Sequence, residues 1–183
     1  SVRYVDFWAY DPVKNFWLQR AQFPGVARNS AVGYSVGTKG YIATGYDGLN
    51  RLNDNWEYNP ANNTWTRRAD FAGSPRYDAV AFGIGTKGYI STGFDGGNTK
   101  DLWAAGTNGT WTQKVSMGGS KRSAAVAFVY NNKAYVVTGI SNGNTLTDFW
   151  MYDPANPSSW TQLRDINNIS TDAYDNDYTD IQR

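Results

Sequence analysis

The 183-residue chain carries 17 basic against 16 acidic side chains, a net charge of +1, and 40% of its residues are hydrophobic. No apolar run approaches the ~18 residues that cross a bilayer as a helix, and the scattered charges form no basic stripe of the kind a nucleic acid requires. The chain has neither cysteine nor histidine, so disulfides, zinc sites, thiolate nucleophiles and imidazole bases are excluded within this segment.

Glycine, asparagine, threonine, tyrosine and tryptophan abound, whereas Glu57 is the only glutamate. That balance favours strands joined by turns over helices. The first predicted strand, residues 5–10, contains Asp6-Phe7-Trp8-Ala9-Tyr10 and leads to Trp17. Arg28 opens a complete unit, in which Lys39-Gly40-Tyr41-Ile42-Ala43-Thr44-Gly45 precedes Asp54-Asn55-Trp56-Glu57-Tyr58 and Trp65-Thr66. Arg76 opens the next, with predicted strands at 79–82, 88–92, 102–105 and 111–114. These hold Gly88-Tyr89-Ile90-Ser91-Thr92, then Asp101-Leu102-Trp103-Ala104-Ala105, then Trp111-Thr112. Arg122 opens a third unit, with Tyr135, Thr138-Gly139, Asp148-Phe149-Trp150-Met151-Tyr152 and Trp160-Thr161. Successive Asp-x-Trp markers lie about 47 residues apart, within the 20–50 residue range of repeat architectures, and four short strands per period is one propeller blade. The units span approximately 4–22 (partial), 28–69, 76–115 and 122–164, and 165–183 reads as a long polar loop toward a next blade.

The strand-glycine, tyrosine and tryptophan markers resemble the kelch repeat, over nearly the whole chain. The resemblance implies an all-β, kelch-type β-propeller of about three and a half four-stranded antiparallel blades, part of a ring of roughly six or seven. Kelch repeats usually end their second strand with two glycines; here Thr44-Gly45, Thr92-Gly93 and Thr138-Gly139 stand in that place. This habit resembles bacterial envelope and secreted kelch proteins and implies an extracytoplasmic location, in the periplasm, on the outer-membrane surface or secreted. Because the first unit starts at its third strand, the ring is expected to close with missing blades of its own chain or with a second chain.

The resemblance places a ligand face on the loops that join strand two to three (46–53, 94–100, 140–147) and strand four to the next strand one (21–28, 69–76, 115–122, 164–183). Arg28, Arg76 and Arg122 would ring the channel there, suited to a carboxylate; the alternative is that they brace adjacent blades. Asp47 and Asp95 each follow an aromatic and precede a glycine, a grouping that can hold a sugar or simply form a turn. Asp172, Asp175, Asp177 and Asp180 offer oxygen ligands for calcium, but their spacing fits no EF-hand loop, and a solvated loop is the alternative.

Two enzyme types share the resemblance. Galactose oxidase-like copper enzymes need histidine and cysteine, which this segment lacks. For sialic-acid epimerase-like enzymes the arginine and acid pairings here are too generic. No nucleophile–base pair is identifiable, and no cofactor is implied. The expectation is therefore a non-catalytic binding or scaffold propeller mediating protein–protein interaction. A carbohydrate-binding or carbohydrate-active kelch protein, with catalytic residues outside this segment, is the alternative. A protein partner ranks first and a glycan second.

Overall fold

The computed structural model describes residues 2–106 and 109–166. A half blade comes first, β1 (Trp8–Asp11) paired antiparallel with β2 (Phe16–Gln19). The first full blade is β3 (Val32–Val36), β4 (Lys39–Ala43), β5 (Asn55–Asn59) and β6 (Thr64–Arg68), hydrogen-bonded in chain order. The second repeats this with β7 (Val80–Ile84), β8 (Lys87–Ser91), β9 (Leu102–Ala105) and β10 (Trp111–Lys114). In the third, β11 (Val126–Tyr130), β12 (Lys133–Val137), β15 (Phe149–Tyr152) and β16 (Trp160–Leu163) form the blade. A small hairpin, β13 (Ile140–Ser141) with β14 (Asn144–Thr145), fills its second loop.

Each sequence marker is a fastening. The first tryptophan of every unit (Trp8, Trp56, Trp103, Trp150) donates its indole N–H to the aspartate two residues earlier, at 2.6–2.7 Å. The second tryptophan grips the chain leaving the preceding blade: Trp65, Trp111 and Trp160 donate to the carbonyls of Ala21, Ala69 and Val115 at 2.9, 3.3 and 3.2 Å. At the Thr-Gly step both residues are left-handed, with φ of 60°, 59° and 64° at Thr44, Thr92 and Thr138 and 105°, 106° and 110° at the glycines. A β-branched residue at such angles costs roughly 1–3 kcal/mol. In return the chain turns sharply enough for the Gly45 and Gly93 N–H groups to donate to the Arg76 and Arg122 carbonyls of the next blade, both at 2.8 Å.

Blades meet face to face, and their inner strands lie so close that a Cβ at Gly83 would collide with the Ser35 carbonyl. Between blades two and three the core is continuous, with Phe82, Tyr89 and Leu102 on one side and Ala134, Val136, Tyr152 and Trp160 on the other. Equivalent residues on the outer face of blade three are open instead: Val126, Phe128 and Tyr130 are 57%, 46% and 64% exposed, against 4%, 4% and 8% for Val80, Phe82 and Ile84.

The structure departs from the sequence reading in several places; the strands read at 79–82 and 88–92 are Val80–Ile84 and Lys87–Ser91. The first strand starts at Trp8, because Val5 and Phe7 give their carbonyls to Phe23 and Arg20 beyond β2. The β13–β14 hairpin falls in a stretch read as loop, since two-residue strands carry no periodic signal.

Candidate functional site

The three repeat arginines lie at the ends of the second strands, where the Thr-Gly step turns its threonine carbonyl toward them. Arg28, Arg76 and Arg122 donate to the carbonyls of Thr44, Thr92 and Thr138 at 2.9, 2.9 and 3.0 Å. Each also forks onto the aspartate of the Asp-x-Trp marker, Asp54, Asp101 and Asp148, with contacts of 2.5–2.8 Å. Arg76 and Arg122 are 1% and 0% exposed. Burial opposes ionisation of all three aspartates, but hydrogen bonds from the arginine and from the tryptophan indole outweigh it and hold the carboxyls below their usual range. These arginines are occupied inside the scaffold, and each fork ties the end of the second strand to the start of the third within a single blade rather than one blade to the next.

Asp47 and Asp95 stay on the loop face. Asp47 accepts backbone N–H bonds from Leu49 and Asn50 at 2.7 and 2.6 Å, which keep its carboxyl below the usual range. Asp95 accepts from the Ser74 hydroxyl at 2.5 Å. The neighbouring aromatics run between blades as a tilted series, Tyr46 to Tyr77 at 5.5 Å and Tyr77 to Phe94 at 5.4 Å, so they serve packing. The structure thus brings Asp95, Ser74 and Leu49 to one cleft of about 320 Å³, completed by Asn50, Arg51 and Pro75. Asp172, Asp175, Asp177 and Asp180 lie outside the described residues.

A second opening was not anticipated. Between blades one and two lies a cleft of about 510 Å³, lined in part by Tyr34, Tyr41, Asn55, Glu57, Arg68 and Ala105. Within it the Tyr41 hydroxyl donates to Glu57 at 2.8 Å, and Arg68 donates twice to the same carboxylate, at 3.0 and 2.8 Å. The Arg68 guanidinium holds the Glu57 carboxyl below its usual range. Burial, aided by the Glu57 contact, pushes the Tyr41 phenol up to about 12. The lone glutamate and the absence of the expected tyrosine at Ala105 were the sequence signals that could have located this cleft.

Among known proteins, the Kelch motif matches residues 33–71. No curated protein matches the sequence. The fold is similar to the structure of YjhT, a kelch-type propeller, with a TM-score of 0.77 at 16% identity. The match covers 90% of this chain and 60% of that one, so the chain spans about three fifths of that structure. The matched unit is repeated by its neighbours in sequence and in blade structure, so the fold is that of a partial kelch-type propeller.

Proposed function

We propose that the chain is a non-catalytic platform that docks a protein partner on its loop face, in the bacterial envelope or outside the cell. The observation that carries the docking is the cleft between the β4–β5 and β8–β9 loops, where Leu49 stands 88% exposed beside Arg51 and Asp95. An exposed aliphatic beside an arginine, a residue type that hot spots favour, on loops anchored by ion pairs, supports a protein contact at this place. The Thr-Gly habit supports the extracytoplasmic location.

The test is co-purification from envelope and secreted fractions of native cells, comparing the wild type with Leu49→Asp, Asp95→Arg and Val13→Asp, the last in the exposed β1–β2 turn. A partner retained by wild type and V13D but lost by L49D and D95R supports the reading; equal capture by all four overturns it. The apolar outer face of blade three further supports completion of the ring by additional blades, from this polypeptide or a second one. A stable 20.3 kDa monomer with one sharp melting transition contradicts that completion.

A further inference from the structure

We propose that the cleft between blades one and two is a second binding site, distinct from the loop face, and that it takes a neutral saccharide of one or two rings. The repeat predicts what this interface should contain. At the preceding interface Phe7 meets the Tyr58 ring at 4.8 Å. At the following one their counterparts, Leu102 and Tyr152, share one buried cluster, and Tyr152 covers the Tyr89 ring edge-on at 5.9 Å. Between blades one and two the same two positions hold Asn55 and Ala105. Both partners of an apolar contact have changed together. Tyr41, the counterpart of Tyr89, therefore lacks the ring that covers its equivalent.

The other departures converge on the same space. Tyr34 stands where the neighbouring blades have Phe82 and Phe128, and Glu57 where they have Ala104 and Met151. Gly88 is needed as it is, because a Cβ there would collide with the Tyr34 ring. The cleft is thus shaped by close packing on one side and by the missing Tyr on the other.

Its polar atoms are incompletely used. Asn55 is only 3% exposed and accepts a long bond of 3.4 Å from the Tyr34 hydroxyl, and among the described residues its amide N–H₂ donates to no protein group, opening instead into the cleft. Those donors are available to an acceptor that enters the cleft. The Glu57 carboxylate has spent three of its four acceptor directions on Tyr41 and Arg68, and Arg68 keeps donors beyond those two bonds. Glu57 neutralises Arg68, and Arg67, which also lines the cleft, is paired with Asp70 at 3.0 Å, so no lining charge is left to favour an ion. What remains is room of small-ligand size, a Tyr41 ring stacked on Tyr34 at 4.9 Å on one face but with no ring from the next blade over it, and donors and acceptors side by side. A sugar ring offers an apolar face for the first and hydroxyls that both give and accept for the rest.

The test uses the protein as it stands, with glucose, galactose, mannose, N-acetylglucosamine, maltose and cellobiose as probes in saturation-transfer NMR at millimolar concentration. At least one sugar is expected to receive saturation from the wild type. Ala105→Tyr, which restores the ring found at Tyr58 and Tyr152, is expected to abolish that signal while melting no lower than wild type. Glu57→Met, the residue of blade three, is expected to weaken binding more than about tenfold, as for the loss of one or two hydrogen bonds to a charged group. Absence of transfer to every sugar overturns the proposal, as does a signal that A105Y leaves intact. Equal binding of an aromatic ring without hydroxyls, with toluene as probe, also overturns it. None of these outcomes depends on a protein partner at the loop face.

Discussion

Replacing Arg76 by lysine keeps the charge and removes the fork. In the native structure the guanidinium donates to the Thr92 carbonyl, the Thr99 hydroxyl and Asp101 at 2.9, 2.9 and 2.5 Å through one nitrogen. It donates to Asp101 and the Ser74 hydroxyl at 2.8 and 3.0 Å through the second, and to the Ser74 carbonyl at 3.0 Å through the third. A lysine ammonium has three donors at one point and cannot span these acceptors. At least three hydrogen bonds go, at about 1 kcal/mol each, for a loss of roughly 2–3 kcal/mol. At roughly 2–4 °C per kcal/mol for a chain of this size, the melting temperature falls by about 5–10 °C. Arg76→Met leaves the half-buried Asp101 without its counter-charge and costs more, about 3 kcal/mol, whereas Arg76→Met with Asp101→Leu recovers part of the loss. Arg28→Lys costs less than Arg76→Lys, because Arg28 makes fewer bonds and reaches no hydroxyl. Urea unfolding followed by tryptophan fluorescence reads all four variants. An R76K midpoint within about 0.5 kcal/mol of wild type would refute the bracing role, since a change of that size is what an ordinary surface substitution produces.

Acid should loosen the blades together. The folded-state values of Asp54, Asp101 and Asp148 lie below the ordinary carboxyl value. Their contribution is therefore fully present above about pH 4 and is lost as pH falls through the lowered folded values; a stability flat from pH 7 down to about 2 contradicts this. Thr92→Gly should gain stability relative to Thr138→Gly by about 1 kcal/mol, because both relieve the same left-handed strain but only Thr92 carries a buried hydroxyl without a partner. The Thr138 hydroxyl donates to the Val137 carbonyl at 2.6 Å, so thermal melts giving equal changes would refute that account.

The scaffold was legible because its fastenings recur. Asp-x-Trp, the opening arginine and the second tryptophan each serve one blade, and each reappears wherever a blade does. What those residues do was less legible. The recurrence of Arg28, Arg76 and Arg122 favours braces over a ligand ring, but the sequence does not name their acceptors, which include main-chain carbonyls and an aspartate about 26 residues away that no short window relates. The blade one–two cleft left only weak marks in the sequence, for a different reason. It is made by Asn55 and Ala105, each an unremarkable substitution in its own repeat, which become one feature only when two sheets face each other. Among repeated units the informative residues are those that break the pattern, and here they break it on both sides of one interface.

The central claim, that a protein docks at the Leu49–Asp95 cleft, is tested most directly by site-specific photocrosslinking in native cells. A photoreactive phenylalanine analogue placed at Leu49 is predicted to give a discrete higher-mass adduct with one protein, and the same analogue at Val13 none. No adduct at Leu49, or the same adduct from Val13, would contradict it.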